Sequence, residues 1–142
     1  MTSEILKKYG DRVSLAHFDF PLRPLTFQAA EAARCAGRQG KFWEYHGLLF
    51  QTSRDWTQAP APRRAFDRMA ADLGLDPQKF ASCVDARAAR GEVERDRALG
   101  ESLRVDSTPT FFINDRRFVG YLPPAEYERA VRAALQESGR AR

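Results

Sequence analysis

A proline at position 109 stands directly before the most strand-like run of this 142-residue sequence, in the stretch VDSTPTFFIN over residues 105–114. Proline removes a backbone donor, so within sheets it is confined to edges, first strand positions or bulges. It is also the residue at which a cis peptide bond is cheap, and such a bond marks a shaped turn. The runs TFFIN and RRFVG, separated by Asp115, read as two short strands with a turn centred on Asn114-Asp115. Any fold for this chain must therefore accommodate a proline-led hairpin late in the sequence.

Before the hairpin the period is different. Residues 3–9 carry Ile5, Leu6 and Tyr9 at helical spacing and stop at Gly10, which suits the left-handed position after a helix end. DRVSLAHFDF, residues 11–20, puts Val13, Leu15, Phe18 and Phe20 on both faces of an extended segment and predicts a strand covered on both sides. Pro21 and Pro24 end it. From Leu25 to about Gln51 the pattern is helical with a break at Gly37 and Gly40. Ala29, Ala30, Ala33 and Ala36 line a close-packing face before that break, and Phe42, Tyr45 and Leu49 share a face after it.

A proline-rich link, 59–62, leads into RRAFDRMAADLG, with Phe66, Met69, Ala70 and Leu73 on one side and Gly74 as the stop. Asp76-Pro77 signals a helix start and carries Phe80, Cys83 and Val84 inward. Residues 86–103 are rich in Ala, Arg and Glu and favour helix. Pro123-Pro124 opens a last amphipathic helix with Tyr127, Ala130, Val131, Ala134 and Leu135 inward. A strand, a helical block, two strands and a helix predict an α/β sheet domain with a helical subdomain inserted at residues 25–103.

A chain of this length makes one ordinary domain, burying about two thirds of the surface its unfolded form exposes without help from disulfides. No segment approaches the roughly 20 apolar residues needed to span a bilayer. The start, MTSEILKKYG, lacks an apolar h-region, so the chain as written reads as cytoplasmic, without a secretory signal. The net charge of +4 comes largely from Arg scattered among Asp and Glu, as in Glu92 to Arg97, which makes a solvated helix face rather than a nucleic-acid stripe. No nucleic acid, membrane or cofactor partner is expected.

The two cysteines, Cys35 and Cys83, fall within the helical block. Read from the residues, they are two buried thiols in a reducing cytosol, or one of them is a reactive thiol. With His17 and His46 they supply zinc-type ligands but none of the short paired spacings of structural zinc sites, so no metal site is expected. His46 sits at helical spacing from Phe42 and Phe50 and reads as a packing residue, while His17 lies mid-strand beside Phe18. Neither has a Ser or Cys neighbour that would make a nucleophile–base pair.

FDFPL at 18–22, AARCAGRQGKFWEYHGLLF at 32–50, DLGLDPQKFASCVD at 72–85, ALG at 98–100 and TPTFFIN at 108–114 resemble the DsbA-like thioredoxin-fold proteins, over nearly the whole chain. The resemblance implies a thioredoxin-like core, here partial over 1–24 and 104–142, interrupted by a helical insertion at 25–103. The activity it implies is thiol–disulfide exchange on extracytoplasmic proteins. That family uses a Cys-x-x-Cys at the start of its first long helix, whose N-terminus lowers the first thiol's pKa. No such motif occurs here. Aligned with the family, the chain begins late in that helix, so the first strand, both catalytic cysteines and most of the helix are missing and no catalytic residue is assigned.

The resemblance assigns substrate binding to Thr108 and Pro109. In related proteins this Thr-Pro loop has a cis bond, packs beside the active disulfide and pairs its backbone with an extended substrate peptide. Ser107 stands where members often have Gly. Family matches carry cysteines at positions 35 and 83 and work in oxidising compartments, which adds a third reading, a structural disulfide between Cys35 and Cys83.

Two functions follow. One is a DsbA-family thiol–disulfide oxidoreductase acting on protein thiols and disulfides, without turnover in a chain lacking its cysteines. The other is a non-catalytic peptide-binding or dimerisation module that keeps the Thr-Pro groove. In the thioredoxin core the first strand lies between those at 12–19 and 109–114. Its loss leaves two edges and an apolar slot, so a homodimer through the sheet or the shortened N-terminal helix is expected.

Overall fold

The structure, a computed structural model, describes residues 2–140. In chain order it holds α1 (Thr2–Tyr9), a 3₁₀ turn (Gly10–Arg12), α2 (Pro24–Gly37), α3 (Phe42–Gln51), α4 (Ser53–Thr57), α5 (Pro62–Asp72), α6 (Pro77–Asp85), α7 (Arg90–Ser102), β1 (Thr110–Ile113), β2 (Arg116–Val119) and α8 (Pro124–Arg140). The elements form two compact units. One comprises the chain up to His17 and from Glu101 onward, the other Phe18–Gly100.

The helical unit is built on local signals. Pro24 occupies the first turn of α2, where a missing N–H costs nothing, and the Arg23 amide donates to Thr26 Oγ1 at 3.0 Å. Ala29, Ala32, Ala33 and Ala36 are buried, and their small side chains admit close neighbours. Gly40, at φ +77°, turns the chain into α3. Asp76 caps α6, its Oδ1 accepting from the amides of Gln78 and Lys79, both at 2.9 Å. Between the helices Tyr45, Phe66 and Phe80 are fully buried. The polar side-chain atoms of Tyr45 and of buried Trp56 are both satisfied: Tyr45 Oη donates to the Phe66 carbonyl at 3.0 Å and Trp56 Nε1 to the Leu49 carbonyl at 2.8 Å.

Three features depart from the sequence reading. The short helix α4, carrying buried Trp56, had no local signal. The helix expected from residue 86 begins at Arg90, because Arg87 turns left-handed (φ 50°) and sends its guanidinium onto buried Glu31 of α2, at 3.2 and 2.8 Å. The strand expected within 11–20 is absent from the described residues. Gly10–Arg12 is a 3₁₀ turn, Val13 beyond it is extended (φ −133°, ψ 131°), and the described sheet holds no strand from this segment. The physical reason is that β1 pairs with β2 alone, so no strand lies alongside residues 13–19. Burial there alternates, with Val13, Leu15, His17 and Asp19 covered and Ser14, Ala16 and Phe18 exposed, so one face is covered and not two.

Asp19 explains why residues 18–23 belong with the helices. Its buried carboxylate accepts from Arg34 Nε at 2.7 Å, and its amide donates to Asp96 Oδ2 at 3.1 Å. Arg34 Nη2 reaches that same Asp96 oxygen at 2.5 Å.

In the other unit β1 and β2 are antiparallel, registered from Thr110 opposite Val119 to Ile113 opposite Arg116. The reversal falls at Asn114, left-handed at φ 50°, and Asp115. One face of the hairpin is covered by α8. Phe111 meets Tyr127 edge-on at 5.3 Å between ring centroids, in a cluster with Ile5, Val131, Ile113 and Leu135.

Candidate functional site

The loop before β1 is held from several sides. Arg104 turns left-handed (φ 55°) beyond the end of α7 and reverses the chain. Arg117 of β2 reaches back, donating from Nη1 to the Leu103 carbonyl at 3.3 Å and lying 3.7 Å from Asp106. Thr110 Oγ1 donates to the Ser107 carbonyl at 2.8 Å. The Thr108–Pro109 bond is cis. The Pro109 carbonyl accepts from the Gly120 amide at 2.7 Å, which continues the β1–β2 ladder by one pair. Proline cannot return that bond, a loss tolerated at the first residue of a ladder. Gly120 sits at φ +81°, where a side chain would be strained.

These braces leave Thr108 disengaged. Thr108 is exposed, and among the described residues neither its backbone nor its hydroxyl makes a hydrogen bond. In an antiparallel pair alternate residues direct their amides and carbonyls away from the partner. With Pro109 bonded to Gly120, the residues pointing away from β2 are Thr108, Thr110 and Phe112, and no strand lies on that side among the described residues. The face of the hairpin away from α8 carries exposed apolar side chains beside Thr110 and Arg117: Phe112 is 47% exposed, Val119 52% and Tyr121, just beyond β2, 73%.

The second pair singled out in the sequence lies in the helical unit. Cys35 of α2 and Cys83 of α6 are joined in a disulfide with their Cα atoms 5.8 Å apart, leaving no free cysteine among the described residues. Thr108-Pro109 and Cys35–Cys83 therefore belong to different units. His46 packs among the rings of Phe42, Trp43 and Phe50, at 5.8, 5.7 and 4.9 Å. Among the described residues no three His, Cys, Asp or Glu side chains gather to hold a metal ion. Burial pushes the Tyr45 phenol far above its ordinary range, with a smaller push from Asp67, so the group stays protonated as a donor inside the core.

Sequence reasoning missed Arg117 and Gly120. A signal was present in the two-residue turn, which fixes the register of the hairpin and so sets Gly120 opposite Pro109 and Arg117 opposite Phe112.

The family profile described as Thioredoxin matches residues 1–133. The chain belongs to the thioredoxin family. It is also similar to part of several proteins named as Na(+)/H(+) antiporters. One is NhaA of Herminiimonas arsenicoxydans, 33% identical over 133 residues that make up 93% of this chain and 20% of that protein. Another is NhaA 1 of Mycobacterium sp. (strain KMS), 33% identical over 137 residues, 92% of this chain and 21% of that one. NhaA 3 of Salinispora tropica is 35% identical over 99 residues, 70% of this chain and 14% of that protein. The chain thus spans about a fifth of the length of the first two relatives. No helix among the described residues is long and apolar enough to cross a membrane.

Proposed function

We propose that this thioredoxin-family chain is the substrate-holding part of a DsbA-type thiol–disulfide exchange domain. The observation that carries the proposal is Thr108, exposed and unengaged beside the open side of β1. An extended peptide laid along this side gains main-chain hydrogen bonds from Thr108 and Thr110, and its alternate side chains meet Phe112 and Val119. Exchange also needs a free thiolate, and the two cysteines of the chain are bonded to each other. Holding a peptide, rather than turning it over, is the activity these residues supply by themselves.

The same bonded pair favours a second reading, a peptide-binding module without redox chemistry. Both readings are tested by titrating isotope-labelled protein with an extended, cysteine-containing peptide. The amide signals of Thr108, Thr110 and Phe112 should move while those of Ala32 and Phe80 stay. No movement at these three amides with millimolar peptide would overturn both. Reduction of insulin disulfides separates the readings once an upstream Cys-x-x-Cys segment is supplied. A rate above the reductant alone supports exchange, whereas background rate with intact peptide binding supports the non-catalytic module.

A further inference from the structure

The surface of the helical unit carries an opening of about 440 Å³ directly over the Cys35–Cys83 bridge, lined by both cysteines, Arg38, Gln39, Gln78, Lys79 and Ser82. The two sulfur residues are unequally covered: Cys35 is 1% exposed, whereas Cys83 is only partly buried. Each has a cation one helical turn away, Arg38 three residues after Cys35 and Lys79 four before Cys83, so both cations sit on the cysteine's side of the helix.

The lining groups differ in how far they are engaged. Arg38 donates to the Ala88 carbonyl and to Glu92, both at 2.8 Å. The Gln39 amide is spent on the Asp76 backbone, donating at 3.3 Å and accepting at 2.9 Å. The side chains of Gln78, Lys79 and Ser82 have no partner among the described residues. An unpaired ammonium, an amide and a hydroxyl around a half-covered disulfide make a site for a carboxylate attached to a sulfur nucleophile.

We propose that this cavity is an exchange site for a small carboxylate-bearing thiol, which captures Cys83 and releases Cys35. The ligand's carboxylate lies against Lys79 while its thiolate attacks Cys83 Sγ. A bond forms between these two sulfurs, the Cys35–Cys83 bond breaks, and its electron pair leaves with Cys35. Cys35 then takes a proton from water. The ligand sulfur is oxidised to the disulfide level and Cys35 is reduced to a thiol, so no further oxidant is needed. Direct attack on Cys35 is blocked by its burial.

The site is separate from the β1 edge and does not depend on the function proposed for it. The test uses the whole chain with reduced glutathione as the probe and 2-mercaptoethanol as a neutral thiol, under native conditions and without air. Acid quenching followed by peptide mass mapping should show one glutathionyl group on Cys83 and a free thiol at Cys35 as the first product. Lys79→Glu, at an exposed residue whose side chain has no partner among the described residues, should slow the reaction with glutathione about tenfold, as expected when local charge no longer concentrates an anion, and leave the neutral thiol's rate within about twofold. A first adduct on Cys35, a bridge that opens only in denaturant, or equal slowing of both thiols by Lys79→Glu would each overturn the proposal. A repeat with Lys79→Gln should give an intermediate rate, and no change there would also count against it.

Discussion

Replacing both bridged cysteines by alanine should remove a large share of the helical unit's stability. The bridge joins residues separated by 48 positions. In the chain-entropy account, closing a loop of that length takes about 4 kcal/mol of freedom from the unfolded state, all of it returned in C35A/C83A. Alanine is the right replacement because Cys35 is buried, and a serine hydroxyl there would add its own desolvation cost. With a urea dependence of about 2 kcal/mol per molar, the midpoint should fall by about 2 M. Both tryptophans, Trp43 and Trp56, lie in the helical unit, so their fluorescence follows that unit. Unvaried protein treated with reductant should unfold near the same midpoint as the variant. Before reduction, a thiol count in denaturant should find none. Two reactive thiols per chain, or a midpoint shift under about 0.5 M, would refute the reasoning.

Gly100 and Gly91 offer a contrast within α7. A Cβ at Gly100 would lie 2.6 Å from Phe20 Cδ2, whereas one at Gly91 would meet only the tip of Arg95 at 3.5 Å. G100A should therefore lower stability by about 1–2 kcal/mol despite alanine's better helix propensity, and G91A should be neutral or stabilising by up to about 1 kcal/mol, as read by thermal melting. In the other unit, hydrogen bonds from Lys8 and Tyr9 hold the Glu128 carboxylate below its ordinary pKa. A carboxylate lowered in the folded state stabilises it above the ordinary carboxylate pKa, and the contribution disappears as pH falls through the lowered value. E128Q should therefore melt lower than the parent protein near neutral pH, with the gap closing below about pH 4; a constant gap would contradict the assignment. Finally, β1 has no charged residue, whereas β2 carries Arg116 and Arg117, and an uncharged open edge invites pairing between chains. We propose a homodimer through β1 that Thr110→Lys disrupts; sedimentation finding only monomer at tens of micromolar would argue against it.

Local chemistry was legible in the sequence and long-range pairing was not. Asp76-Pro77 and Asn114-Asp115 act within a turn of their own position, and each marks an element boundary as expected, whereas Pro24, read as ending a strand, opens α2. Residues 13–19 have strand-like composition, but a strand exists only where another strand offers hydrogen bonds. The break at Arg87 depends on Glu31, more than 50 residues earlier (|i−j| 56), so an Ala- and Arg-rich run could not announce it. Thr108-Pro109 stood out through its proline and through resemblance. Its braces, Arg117 and Gly120, follow only from counting the hairpin register.

The Arg34 contacts have a consequence for how this fold is assembled from parts. One guanidinium binds Asp19, near the start of the helical unit, and Asp96, near its end, and Phe20 lies against Gly100. The unit therefore begins and ends at nearly the same place, and a module with adjoining ends can be spliced into a surface loop of a host without stretching it. Expressed alone, residues 18–100 should close on themselves around that arginine, and new termini opened in the 59–62 link should be tolerated once the old ones are joined.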